Sequence, residues 1–266
     1  MPTYNRAGVL PRAIQSVLAQ SFSDWELIVV DDASTDETPR VLAEFAARDP
    51  RIVVVGNKKN NYPDISKTLN DGMAKARGKY IARLDDDDYW VDDRKLEKQL
   101  SFLEKHPDYV VVGSGMIIVD AAGRELSRYA KRETDKDIRR TALFANPFSH
   151  TTVLFRADVA RAVHGYGDWR YAEDWDLWLK MGMRGKFYNL PEYLTAYTMA
   201  GQNKSFTYQR AQSRMMLQLI AVHRKEYPGF WRAYLLNGTQ YLYSFLPVAI
   251  RRPLHAFLVG IKRKFF

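Results

Sequence analysis

Cysteine is absent from the 266 residues, which excludes disulfides, thiolate catalysis and Cys-ligated zinc and fits a reducing compartment. Glycine-rich phosphate loops are absent too. No G-x-G-x-x-G follows a β-prone run and no G-x-x-x-x-G-K-[ST] occurs, so a phosphate ligand would be held through metal rather than a glycine cradle. The first residues, Met1 to Arg6, lack the apolar core of a signal peptide. Long hydrophobic runs are scarce: the most apolar, residues 233–250, is interrupted by Asn237, Gln240 and Pro247, which favours an interfacial helix pair over a membrane span. Acidic residues are missing beyond Glu226, while Arg232, Arg251, Arg252, Lys262, Arg263 and Lys264 follow it. Most of the net charge of +9 is thus a property of the tail, a composition that suits anionic lipid headgroups. A helix packed on the main domain with a solvated basic edge is the alternative for the tail. Nucleic-acid binding would instead interleave basic and aromatic residues across a folded face.

What is present is an alternation of short apolar runs and helical patterns. Leu10, Ile14, Val17 and Leu18 have helical spacing, and Glu26–Val30 is a short strand ending in Asp31-Asp32. Ser34 to Glu37 has the form of a capping box for a helix through about Arg48, with Pro39 in its first turn. Ile52–Val55 is the next strand, and Ile65, Leu69, Met73 and Ala76 mark a helix closed by Gly78. Lys79–Leu84 is then a strand, followed by a helix capped by Asp92 or Asp93 and carrying Leu96, Leu100 and Leu103. Further strands are expected over Tyr109–Val119, with a glycine bend, and over Thr151–Arg156, with a helix over Asp137–Phe144. From Ser205 the pattern is helical until Tyr227-Pro228-Gly229 breaks it. This predicts an α/β fold, a mainly parallel sheet flanked by helices, with a helical C-terminal extension.

Four carboxylates, Asp85 to Asp88, follow the strand Lys79–Leu84. At the C-terminal edge of an open sheet they would line the ligand crevice, and a hard divalent cation would relieve their mutual repulsion. Extended geometry would aim Asp85 and Asp87 the same way. An EF-hand is excluded, since its required Gly and Glu positions hold Trp90 and Leu96. A solvated acidic turn is the plain alternative.

In addition to this, several pieces of sequence resemble the family 2 inverting glycosyltransferases, nucleotide-sugar enzymes of the GT-A fold. They are Pro2-Thr3-Tyr4-Asn5-Arg6, Val30 to Asp36, Asn70-x-Gly72 leading to Gly78-Lys79-Tyr80-Ile81, Leu84 to Asp88, Asp93-Arg94, and Ala172 to Leu179. The resemblance covers about residues 1–200. It implies a glycosyltransferase domain over 1–204, with a nucleotide-sugar half (1–108) and an acceptor half (109–204), and a basic, aromatic helical tail over 205–266. It implies that Pro2 and Tyr4 flank the base, that Asp32 accepts from the base imide, and that Arg6, Lys59, Asp85 and Asp86 also contact the nucleotide. Asp87 and Asp85 would bind Mg²⁺ or Mn²⁺, and Asp174 would be the base. His150, Trp169, Tyr171 and Glu173 would face the acceptor, the aromatic rings stacking on a sugar.

The chain departs from that family in three places. The usual apolar run ahead of Pro2 is missing, so either the native chain starts earlier or the sheet lacks a strand beside the nucleotide pocket. Residues 197–203 lack the Arg and His that approach the diphosphate in many relatives, with Lys204 a candidate substitute, and Leu69 stands where Arg is common. The long spans and Gln-x-x-Arg-Trp motif of processive synthases are absent, which favours single-sugar transfer. The expected partners are a nucleotide-sugar donor, a UDP-sugar first, a glycan or lipid-linked acceptor and an anionic membrane surface, but no nucleic acid. Localisation would be cytoplasmic, peripheral on the inner membrane face. The competing functions are nucleotidyl transfer to sugar phosphates, for which Met1 to Arg12 lacks the Gly-rich start, and a non-enzymatic basic protein binding membrane or nucleic acid.

Overall fold

The structure, a computed structural model, describes residues 1–199 and 205–246; Lys204 and tail residues 247–266 lie outside them. In chain order the elements are β1 (Pro2–Thr3), α1 (Leu10–Leu18), β2 (Leu27–Asp31), α2 (Thr38–Arg48), β3 (Ile52–Gly56), α3 (Ile65–Lys75), β4 (Tyr80–Ala82) and β5 (Tyr89–Trp90). They continue with α4 (Lys95–Lys105), β6 (Tyr109–Asp120), β7 (Glu125–Tyr129), α5 (Asp135–Thr141), β8 (Leu154–Arg156) and α6 (Ala157–Ala162). Then come α7 (Glu173–Gly182), β9 (Lys186–Met199), α8 (Ser205–Val222) and α9 (Phe230–Tyr243).

The fold is α/β, as the alternation predicted, with its strands divided between two sheets. One is parallel and three-stranded, in the order β1-β2-β3. The other is mixed, in the order β4-β8-β6-β9-β5, with β7 on β6. Its parallel pair is β6 with β9, a strand with no clear pattern in the sequence, and its other pairs are antiparallel. Parallel pairing is thus a local property of the first sheet and of one seam in the second.

Helical spacing does what it should in α1, which buries Leu10, Ala13, Ile14 and Val17 against Leu27 and Val29 of β2. Each of the larger side chains, Leu10, Ile14 and Val17, contributes roughly 1.5–3 kcal/mol on removal from water. The larger core joins β6, β8, α5 and α7 around the fully buried Trp178, and α8 and α9 enter it through Leu219, Ile220 and Ala233.

Local expectations fail where a side chain finds a distant partner. The Ser34 hydroxyl accepts from the Asn5 amide at 2.9 Å, so it caps nothing, and α2 starts at Thr38. The strand predicted to reach Leu84 stops at Ala82, because Asp86 and Asp87 form a turn in which the Asp88 amide donates to the Asp85 carbonyl at 3.3 Å. The predicted strand from Thr151 opens instead with a 3₁₀ turn, His150–Thr152. The helix expected over 137–144 runs from Asp135 to Thr141, capped by the Thr134 hydroxyl.

β1 meets β2 only at Pro2 and Thr3. Beyond it, the facing edges of β2 and β4 flank an apolar cavity of about 650 Å³ lined by Leu27, Ile28, Leu69, Met73, Tyr80 and Ile81. The Met1 ammonium donates to the Ile28 carbonyl at 2.9 Å, and burial, then Arg83, lowers its pKa to about 5.

Candidate active site

Two carboxylate clusters define the site. The first is the turn after β4. Arg83 is buried, donates to the Leu84 carbonyl, and holds Asp85 Oδ1 at 2.6 Å. Burial pushes the Asp85 pKa up most, but the Arg83 charge and hydrogen bond, together with His150 and the terminal ammonium, keep the group below its ordinary value. Asp86 and Asp87 face Arg6 at 3.6 and 3.7 Å. Burial raises both pKa values, that of Asp86 to about 6. Asp88 accepts the Thr198 amide on Oδ1 at 2.9 Å, while its Oδ2 is buried without a partner. Burial, then the Asp85 charge, pushes Asp88 up to about 8. The turn therefore overturns the expected alternation: Asp85 belongs to Arg83, and Asp87 turns toward Arg6.

The nucleotide side is stitched together by short polar contacts. Asn5, at φ +53°, accepts the Thr35 amide at 2.8 Å, and the Arg6 amide donates to the Thr38 hydroxyl at 2.8 Å. This holds Pro2, the half-exposed Tyr4 and Arg6 beside the end of β2. Asp32 is buried, and its carboxylate is already gripped by Asn57 Nδ2 (2.7 Å), Asn61 Nδ2 (2.9 Å) and the Asn61 amide (2.9 Å). A base imide would share this carboxylate with two asparagines. Lys59 is exposed on the same 57–61 loop. Leu69 packs into the larger core.

The second cluster is the N-terminus of α7. Asp174 accepts Asn146 Nδ2 on Oδ2 at 2.6 Å and the Trp175 amide on Oδ1 at 2.7 Å. Burial raises its pKa, against those two hydrogen bonds. Glu173 has a buried Oε2 without a partner, and burial, then the Asp174 charge, raises it to about 7. A carboxylate that titrates near neutrality suits proton transfer. The orientation of α7 is secured behind the pair, where buried Asp176 meets Lys180 at 2.8 Å and His223, just after α8, at 3.1 Å. The Asp85 charge acts on both Glu173 and Asp174, so the two clusters lie within electrostatic reach of each other.

His150 donates to or accepts from the Tyr166 hydroxyl through Nε2 at 2.8 Å. Burial, then Arg83, lowers its pKa to about 3, so it is a neutral wall of the cleft. Trp169 leans on the larger core. Tyr171, at φ +71°, lies under the Arg170 guanidinium, 4.8 Å from the ring centre.

Sequence reasoning assigned no role to Arg83, Asn57, Asn61, Asn146 or Thr198. Of these only Arg83, a cation set in an apolar run beside an acidic one, carries a local signal. Tyr197, beside Thr198, is 42% exposed overall, but desolvation around its hydroxyl and then the Asp88 charge push it upward, so it is a neutral hydroxyl near the acids.

Residues 1–163 match the family model described as glycosyl transferase family 2. The chain belongs to this family. Its curated relatives include EpsE of Bacillus subtilis (strain 168), which carries a provisional glycosyltransferase name and is 37% identical over 96% of this chain and 91% of its own length. The amylovoran biosynthesis glycosyltransferase AmsE of Erwinia amylovora is 28% identical over 92% of each chain. Among solved structures, residues 1–349 of TarS from S. aureus, in complex with UDP-GlcNAc, superpose with a TM-score of 0.72 at 18% identity, over 97% of this chain and 78% of that one. The mannosyltransferase PcManGT from Pyrobaculum calidifontis, with GDP-Man and Mn²⁺, gives 0.65 at 19% identity, over 100% of this chain and 74% of that one. These likenesses establish the GT-A fold for the family 2 glycosyltransferase described here.

Proposed function

We propose that this glycosyltransferase moves a single sugar from a nucleoside-diphosphate sugar, a UDP-sugar first, to a hydroxyl of a glycan or lipid-linked acceptor, with inversion. The work belongs to polysaccharide assembly at the cytoplasmic face of the membrane. The observation that carries the reading is an acid turn braced by cations within electrostatic reach of a buried carboxylate pair whose Asp174 is held by two amides. The solved neighbours described with UDP-GlcNAc and with GDP-Man support the donor class.

Among the described residues no group of three or more His, Asp or Glu side chains forms a ready metal cage. The donor set still fits a hard divalent cation. Asp86 and Asp87 are held above their ordinary pKa by burial, and Asp88 Oδ2 is a buried oxygen without a partner. Asp87, with Asp85 and Asp88, would hold Mg²⁺ or Mn²⁺ completed by donor phosphates. When bound, the ion supplies Lewis-acid neutralisation of the departing diphosphate.

The chain's own groups do the rest. Pro2, Tyr4 and Asp32 hold the base, and Arg6, with Lys59, Asp85 and Asp86 around it, meets the donor. His150, Trp169, Tyr171 and Glu173 shape the acceptor side. Asp174 takes the acceptor proton as that oxygen bonds to the anomeric carbon and the bond to the diphosphate oxygen breaks on the opposite face. Such a base contributes about 10²–10⁴ in rate.

The test is calorimetric titration of UDP, GDP and dTDP, with and without Mn²⁺, into the protein and its Asp87→Ala variant. Metal-dependent binding of one diphosphate, weakened by about 100-fold or more in the variant, is expected. No binding of any nucleotide under either condition overturns the reading.

A further inference from the structure

α9 and the turn after it carry an apolar face that is largely exposed among the described residues. Trp231 (73% exposed), Leu235 (67%), Leu242 (69%) and Phe245 (51%) recur at helical spacing, with Tyr234 and Leu246 beside them. Gly238 falls in the same stripe, so six large apolar side chains run along one side of the helix and the turn after it without a charge among them. Cations flank the face. Arg232 is exposed next to Trp231, and the Arg210 guanidinium of α8 sits 4.1 Å from the centre of the Phe245 ring. The chain beyond adds five more Lys and Arg residues and no acid.

The inner side of α9 points to why such a face matters. Gly229 abuts the Phe144 ring so closely that a Cβ there would lie 2.8 Å from it, and Asn237 Nδ2 donates to the Phe144 carbonyl at 3.4 Å. Two residues further, Asn146 holds Asp174. The helix therefore lies directly over the loop that braces the proposed base.

We infer that this face of α9 docks on an anionic lipid bilayer, the aromatic and leucine side chains entering the headgroup boundary and the basic residues meeting lipid phosphates. The inference rests on the lipid-linked acceptor of the proposed function and gives it a geometry: docking sets the acceptor side of the cleft against the surface that presents the acceptor. Apolar area and positive charge act together in such binding, whereas a protein partner would not demand an acid-free flank. No described helix is long and apolar enough to cross a membrane, so the contact is interfacial.

The test is co-sedimentation of the full chain with vesicles of phosphatidylglycerol and phosphatidylcholine, and of phosphatidylcholine alone, with no donor, acceptor or metal present. Expected are binding to the anionic vesicles only, a loss of about 10-fold or more in Trp231→Ser/Leu235→Ser/Leu242→Ser, and an unchanged Tm, because the three side chains are exposed. Three outcomes overturn it: no binding to either vesicle, equal binding by the variant, or a lipid-free dimer that the variant converts to monomer. The last would assign the face to a second copy of the chain. Since no sugar chemistry is involved, failure here leaves the transfer reaction standing, and failure of the nucleotide titration leaves this contact standing.

Discussion

The two carboxylate clusters share a residue type and differ in what braces them. Asp85 to Asp88 sit in a turn with Arg83 and Arg6 against them, whereas Glu173 and Asp174 sit at a helix N-terminus, where an asparagine amide and a backbone amide donate to Asp174. Guanidinium groups stabilise charge and leave room for a metal ion to replace or join them. Neutral donors orient the Asp174 carboxylate and lower its pKa, but burial outweighs them and leaves it above its ordinary value. Under the proposed function, the same acid chemistry would serve as a cation site in one place and a proton site in the other.

Removing the proton site should have the largest effect. Asp174→Asn keeps a partner for Asn146 and is expected to lower kcat by about 10²–10⁴ while leaving nucleotide affinity in the titration unchanged; a kcat within threefold of the parent would move the base elsewhere.

Unpairing the turn comes next. Arg83→Met strands Asp85 in a partly buried setting, and breaking a fully buried pair costs about 3–5 kcal/mol. Asp85 keeps 36% of its side chain in solvent, so the cost falls at or below the lower end of that range. Adding Asp85→Asn should recover much of the lost stability in chemical denaturation. A double variant as unstable as the single would mean that Arg83 acts through packing alone.

Glu173→Gln sharpens the contrast within the second cluster. Between the ordinary value of 4.5 and about 7, the folded chain keeps a proton that the unfolded chain has released, so stability falls as pH rises through that window. The variant should be more stable than the parent at pH 8 and gain nothing at pH 4. Loss of the Glu173 charge should also shift the acidic limb of the rate profile to lower pH, and an unmoved limb would uncouple the pair.

Lys95 supplies the smallest test, away from both clusters. Fully buried in α4, it donates to Gln99 Oε1 at 2.6 Å and sits 4.4 Å from the Trp90 ring centre. Burial lowers its pKa from 10.5 to about 7. Across that interval the unfolded chain holds a proton that the folded chain has lost, so stability rises with pH from about 7 to 10.5. Lys95→Met should flatten this rise and raise Tm most below pH 7, by a few degrees at roughly 2–4 °C per kcal/mol. An unchanged slope of Tm against pH would show that Lys95 keeps its charge when folded.

Much of this architecture is legible in short windows. The 3.6-residue spacing of Leu10, Ile14 and Val17, the apolar run Leu27–Val30 before Asp31-Asp32, and the break at Tyr227-Pro228-Gly229 all lie where the structure has helix, strand and turn. β9 was not legible. Its residues, from Lys186 to Met199, are fourteen in a row of mixed polarity, and they become a strand because β6 lies alongside. The capping box at Ser34 misled for a similar reason: Asn5, 29 residues away, took its hydroxyl.

Sequence alone determined the family, the α/β alternation and the two acidic stretches, since each is written in residues that are neighbours along the chain. Tertiary structure decided which acid is paired, which is open and which holds a proton near neutrality. Those properties depend on burial and on partners such as Asn146 for Asp174 and Thr198 for Asp88, 28 and 110 residues away. Desolvation and long-range hydrogen bonds exist only once the chain has closed around them.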